Sequence, residues 1–128
     1  TNSAPATIDR FVNAFPASQQ PQIRGMLSDS LAGIVAQQLL RKADGTGRVA
    51  AQEILIGTSG VASAIREGKT TMLQSLIQSG GSHGMQSIDA VLAGLVSQGV
   101  VTPQDALEKA SDKDSFARIP RVAAALKG

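Results

Sequence analysis

Apolar side chains first appear at helical spacing. Ile8, Phe11, Val12 and Phe15 fall at i, i+3, i+4 and i+7, the stripe of an amphipathic helix. Ser3 is placed to cap it, Pro5 lies in its first turn, and Pro16 ends it. A second helix is predicted from about Gln19, with Ile23, Met26, Leu27, Leu31, Ile34 and Val35 forming a wide apolar stripe. Around Gln38 the period changes. QLLRKADGTGRVAAQEILIG reads as two short strands joined by a turn at Asp44-Gly45-Thr46-Gly47. The second strand, Arg48 to Ile56, is apolar on both faces apart from Gln52 and Glu53, the pattern of a strand covered on both sides.

From Gly57 onward the pattern is helical, in short pieces punctuated by Gly68, Gly80-Gly81, Gly99 and Thr102-Pro103. SIDAVLAGLVSQG places Ile88, Val91, Leu92, Leu95 and Val96 on one face, with Gly99 where a C-terminal glycine belongs. TPQDALEKA starts a helix with Thr102 as cap, Pro103 first and Asp105 in the first turn. The stretch from Ser111 is charged and then weakly helical from Val122 to Leu126, and no internal repeat interrupts the series.

Composition narrows the class. A chain of 128 residues suffices for one domain that buries about two thirds of its unfolded surface. Its three aromatic residues are all Phe, so the core has to be aliphatic. With no Cys there is neither a disulfide framework nor a thiolate metal site, a composition that suits a reducing compartment. The net charge of +2 is dispersed, and few aromatics are present to stack on bases, which disfavours a dedicated nucleic-acid-binding protein. No apolar run approaches the ~18 residues of a membrane span, and no signal peptide is visible. The chain opens on Thr1 rather than Met, so a fragment of a longer protein is expected.

Four short motifs suggest chemistry. Gly68-Lys69-Thr70 is the closing tripeptide of a phosphate-binding P-loop, but the first glycine of that motif would have to stand at position 63, which is Ser63. The preceding SGVASAIRE has helical spacing at Val61, Ala64 and Ile65, so Gly68 is expected to close a helix, whereas a P-loop opens one. GTGRVA, Gly45 to Ala50, matches a dinucleotide fingerprint in letters only, because a strand follows it where a helix is required. His83, the single histidine, sits in GGSHGM between helices with no Cys, Asp or Glu nearby, the setting of a solvated side chain. Ser28, Asp29 and Ser30 are expected on the wet face of the second helix, with no histidine near in sequence to activate a nucleophile.

The order of segments resembles one family over residues 1 to about 110. TNSAPATIDRFVNAFP, RGMLSDSLAGIVAQQLL, GRVAAQEILIGT, IREGK and GMQSIDAVLAGLVSQG follow one another as in the C-terminal half of the PilT-type pilus retraction ATPases. The resemblance implies an α+β, helix-dominated fragment. Residues 1–57 would close a RecA-like α/β ATPase core and include its strand hairpin. Residues 58–110 would form a small helical subdomain, and residues 111–128 a variable tail. Separated from the rest of its sheet, the strand pair would expose an edge.

The same resemblance accounts for the tripeptide. The family carries a C-terminal signature of the form Ala-Ile-Arg-Asn-Leu-Ile-Arg-Glu-Gly-Lys, tied to retraction and not to phosphate. Here it falls on GVASAIREGK, where Ile65, Arg66, Glu67, Gly68 and Lys69 match and the first five positions, Gly60 to Ala64, differ. Ile65 is expected in the core, Arg66 and Glu67 on the surface and free to meet a partner, Gly68 at the helix end and Lys69 just beyond. Thr1, Asn2 and Ser3 resemble the tail of the family's His-box. Its P-loop and magnesium-holding carboxylates lie upstream, so ATP and Mg would bind the parent protein and not this piece. Implied with the family are a hexameric assembly, a platform protein of the inner membrane as partner, and a cytoplasmic place at that membrane without direct insertion. A pilus assembly or type II secretion ATPase is the nearest alternative, although those proteins usually carry a four-cysteine zinc site in this half and Cys is absent here. A freestanding helical interaction domain and a small DNA-binding helical domain are the others.

Overall fold

Residues 3–127 are described by a computed structural model. Ser3 caps the first helix, α1 (Ala4–Asn13), its hydroxyl oxygen accepting the Ala6 N–H at 3.2 Å. Ile8 and Val12 are buried, whereas Phe11 stands outside the core and meets Phe15 edge-to-face at 5.6 Å. α2 (Gln20–Ser30) is shorter than its apolar stripe predicts, because the chain leaves helical geometry at Leu31. β1 (Gly33–Arg41) takes over, so Ile34 and Val35, assigned by periodicity to the helix, are strand residues. Their β-branched side chains suit a pleated surface. At the bend, a side chain at Gly33 would lie 2.9 Å from the Leu55 carbonyl, a space that only glycine leaves open.

β2 (Arg48–Ile56) has the predicted limits and forms an antiparallel pair with β1. At the turn, the Lys42 N–H donates to the Gly47 carbonyl at 2.8 Å. At the far end, the Gly57 N–H donates to Ala32 at 2.9 Å, and midway the Gln52 amide meets Gln37 at 3.0 Å. All three pairs fit one unbroken register. The Thr46 hydroxyl and backbone N–H donate to Asp44 at 2.6 and 2.9 Å, fixing the turn and holding the Asp44 carboxyl below its ordinary range. Ile34, Ala36, Gln38 and Leu40 face inward from β1, and Val49, Ala51, Glu53 and Leu55 from β2. The outward face keeps Arg48, Ala50 and Gln52 exposed, so β2 is covered on one side and not on two as its apolar run predicts. Glu53, expected as a break in that run, is fully buried. An isolated bridge to Gln86 occupies the outer edge of β2 at Ile54, and among the described residues no strand pairs with the outer edge of β1.

The remaining chain is helical apart from that bridge, as predicted: α3 (Ser59–Arg66), α4 (Leu73–Ser79), α5 (Ile88–Ser97), α6 (Pro103–Lys109), α7 (Lys113–Arg118) and α8 (Pro120–Lys127). Two compact units emerge, one of residues 1–36 and 53–87, the other of residues 37–52 and 88–128. These limits differ from cuts expected at 57 and 110. The first unit packs Ile8, Val12, Leu55, Val61, Ile65, Leu73 and Ile77 into one core. In the second, Leu40, Ala51, Ile88, Leu92, Val101 and Phe116 share another with Val122. The stretch expected as a variable tail therefore supplies core. Asp112 caps α7 by accepting the Ser115 N–H at 3.1 Å and hydroxyl at 2.9 Å, and the Asp89 carboxylate accepts the Ser111 and Asp112 N–H groups at 2.8 and 3.1 Å. These bonds anchor the segment to α5.

Truncating a filled site in that second core is expected to be costly. Leu92→Ala should destabilise the chain by about 2–5 kcal/mol and Phe116→Ala by about 3–5 kcal/mol, the usual range for emptying such sites. His83→Ala should stay within about 0.5 kcal/mol, as an exposed side chain does. Urea denaturation of the three variants checks the order, and a Phe116→Ala chain as stable as the parent would return residues 111–127 to the status of a loose tail.

Candidate functional site

The signature segment is built at the end of α3. Thr58 starts that helix, its hydroxyl oxygen accepting the Val61 N–H at 3.4 Å. Val61, Ala64 and Ile65 are buried at helical spacing, so the next residue, Arg66, turns about 100° away from the core and toward water. Gly68 ends the helix with φ +72°. Its N–H donates to the Ile65 carbonyl at 3.1 Å, and the Lys69 N–H donates to the Ala64 carbonyl at 2.9 Å. That pair of bonds is a Schellman close, which satisfies carbonyls the helix would otherwise leave open.

The P-loop reading is settled by the same bonds. A phosphate cradle needs free, converging amide groups, but those of Gly68 and Lys69 are already spent on α3. The Thr70 hydroxyl donates to Asp9 of α1 at 3.1 Å. Gly68, Lys69 and Thr70 do not fit a nucleotide phosphate.

Around this turn α2 supplies two residues that the sequence did not single out for it. The Arg66 guanidinium lies 3.1 Å from the Asp29 carboxylate, with the two side chains 57% and 75% exposed. Lys69 lies 3.6 Å from Glu67. Arg24 stretches across the glycine, so that a side chain at position 68 would stand 3.3 Å from its Nε. Arg66 and Glu67 are on the surface as predicted, but neither is free: each already holds a partner within the chain. No sequence signal could have paired Arg66 with Asp29 at a separation of 37 positions, because only the packing of α2 on α3 brings them together.

The other sequence candidates stand apart. Ser28 is buried instead of lying on a wet face, and its hydroxyl has no hydrogen-bond partner among the described residues. Ser30 donates to the Met26 carbonyl at 2.7 Å. His83 is exposed on a short 3-10 turn, Gly81–His83. Gly45 to Gly47 of the GTGRVA segment belong to the hairpin turn. Of the His-box tail only Ser3 lies within the described residues, where it is a helix cap; Thr1 and Asn2 lie outside them. Among the described residues no group of three His, Cys, Asp or Glu could hold a metal ion, and no helix is long and apolar enough to cross a membrane.

The fold carrying this turn is that of one class, the C-terminal region of the pilus ATPases. In a structure of the pilus retraction motor PilT with bound ADP, a region 40% identical in sequence superposes with a TM-score of 0.81 over 93% of this chain and 33% of that one. The Legionella pneumophila ATPase DotB shares the fold alone, at 19% identity and a TM-score of 0.64 over 83% of this chain and 28% of its own. No family model matches the chain. Within the class, the chain belongs to the family of PilT-type pilus ATPases, as part of their C-terminal region. It is 47% identical over 116 residues to the type IV pilus retraction ATPase PilT of Pseudomonas aeruginosa, covering 91% of this chain and 33% of that protein. It is 43% identical to the twitching motility protein of Neisseria gonorrhoeae, with 91% and 31% covered. The chain thus spans about a third of the length of the curated relatives it matches.

Two outcomes follow from the geometry of the turn. Gly68→Ala should destabilise the chain by about 1–2 kcal/mol, the cost of a side chain in left-handed geometry, and Arg24→Ala in the same chain should not recover it, because the backbone conformation remains. Thermal melts of the two variants check this. Titration of the chain with Mg-ATP should show no saturable heat; micromolar binding lost on Lys69→Ala would restore the phosphate reading of the tripeptide.

Proposed function

We propose that this chain is the lever-bearing part of a motor that powers type IV pilus retraction and twitching motility, with ATP and Mg handled by a part of the parent protein that precedes it. The observation that carries this reading is the signature segment itself. Ile65 is locked in the core, and the charged residues that follow sit on a helix end closed by Gly68. A buried anchor one residue from an exposed charge transmits movement of the unit to whatever touches that charge. The partners implied are neighbouring copies in a hexamer and a platform protein at the inner membrane, with the motor in the cytoplasm against that membrane. Phosphoryl transfer needs a phosphate cradle, a lysine and a metal-holding carboxylate together, and that set belongs to the preceding part. Retraction is favoured over assembly by the IREGK match and by the absence of the cysteines of a zinc site.

Charge reversal tests this in the intact motor. Arg66→Glu combined with Glu67→Lys should leave basal ATP turnover within about twofold, as for surface substitutions generally, while pilus retraction is lost. Normal retraction in a motility assay removes the coupling role, and lost turnover would move these residues into the hydrolytic machinery.

A further inference from the structure

The backbone donors in the first turn of α1 are satisfied locally, with one exception. Pro5 has no N–H to give. The Ala6 N–H goes to the Ser3 hydroxyl at 3.2 Å, and the Thr7 N–H to the Ser3 carbonyl at 3.1 Å. The Ala4 N–H instead donates to the Glu53 carboxylate on β2, 49 positions away, at 2.7 Å. Both residues are fully buried. Taking a carboxylate out of water is costly, and an apolar side chain of similar volume often serves stability as well or better. Packing alone therefore does not call for Glu53. Position does. Ala4, Ile8 and Val12 hold α1 in one core with Leu55, Val61 and Ile65, but apolar contact is non-directional and leaves a helix free to slide and rotate slightly. A hydrogen bond to its first amide removes that freedom, because it is strong only over a narrow range of distance and angle. β2 carries the position onward. It ends at Ile56, the Gly57 N–H is bonded to Ala32 at 2.9 Å, and Thr58 caps α3. A side chain at Gly57 would strike the Leu31 carbonyl, so the link from strand to signature helix is short and close-packed. All these groups belong to one of the two compact units.

We propose that Glu53 is a positioning residue of the motor. Through the Ala4 N–H it fixes the start of α1 to the strand that leads into α3. The ATP-handling part that precedes this chain is linked to it through α1, so a displacement arriving there reaches Arg66 without slippage. This rests on the lever reading above and adds to it the bond through which the lever is driven.

Glu53→Leu and Glu53→Gln in the intact motor are the test. Both stay close to the size of the native side chain; glutamine keeps an acceptor for the Ala4 N–H and leucine has none. Pilus retraction rate and basal ATP turnover are measured together, and urea denaturation of each variant reports folding. Glu53→Leu should lower retraction per ATP hydrolysed about fivefold, inside the range by which residues between two sites alter coupling, with turnover unchanged. Glu53→Gln should recover most of that ratio. A merely structural role would lower both activities together, through loss of folded motor, and leave the ratio where it was. Should Glu53→Leu not fold, Glu53→Asp takes its place: it keeps the carboxylate but draws it back from Ala4, and it should uncouple in the same way. A native ratio in the folded variant overturns the inference, and so does a glutamine variant as uncoupled as the leucine one. Failure of this role is distinct from failure of the lever. If the Arg66 and Glu67 reversal leaves retraction normal, the lever reading itself is wrong. If that reversal abolishes retraction while Glu53→Leu keeps the native ratio, only the role of Glu53 is.

Discussion

The register of the hairpin is the constraint on which both cores depend. Its inward face supplies Leu55 to one core and Leu40 and Ala51 to the other. Side chains on a strand alternate with period two, so a slip of a single residue would turn these aliphatic groups to water and bring Gln37 and Gln52 inward. The turn at Asp44 to Gly47 holds one end of the ladder and the Gly57–Ala32 bond holds the other. Gly57 has to be glycine, because a side chain there would run into the Leu31 carbonyl. The end of α2 and the start of α3 are set by that closure, and the signature is set in turn by α3.

A second constraint is electrostatic. Glu53 is fully buried, and its carboxylate accepts the Ala4 N–H at 2.7 Å. A carboxylate survives out of water only where hydrogen bonds replace its hydration. The first turn of α1 offers such a bond, because N–H groups there lack partners within the helix and the helix dipole favours negative charge. β2 is thereby tied to the start of α1, a helix that otherwise contributes Ile8 and Val12 to the same core. The neighbouring inward position on β1, Gln38, is less well served: its side-chain amide nitrogen is buried without a hydrogen-bond partner among the described residues.

Much of this was legible in the residues because local rules and packing agreed. Ser3 and Thr102 cap helices where cap residues belong, and the limits of β2 follow from the change of period and the glycine turn. The α3 ending at Gly68 was legible for the same reason. Two features escaped. The stripe from Ile23 to Val35 runs unbroken in apolarity across the point where α2 becomes β1, and the only local mark of the change is Gly33, whose reason is the carbonyl of Leu55 on the other strand. The stretch after Ser111 has the composition of a solvated tail, yet Phe116 and Val122 are buried. Two apolar residues six apart carry no strong period, and what recruits them is a core assembled by α5 and α6, which composition cannot reveal.

The candidate site shows the same division more sharply. Gly-Lys-Thr is the ending of a nucleotide cradle when a strand precedes it, and the close of a helix when Val61, Ala64 and Ile65 do. The letters are common to both; the direction in which the amide groups face is not. In this chain those groups turn back onto α3, and the exposed chemistry passes to the charged pair just before them. Arg66 meets its partner only through α2, at Asp29, whereas Glu67 is met by Lys69 within the turn itself. A short signature therefore names the place where a partner could act without stating the geometry it would meet. The geometry comes from Asp29 and Arg24, residues distant in sequence that the packing of α2 and α3 brings to the turn.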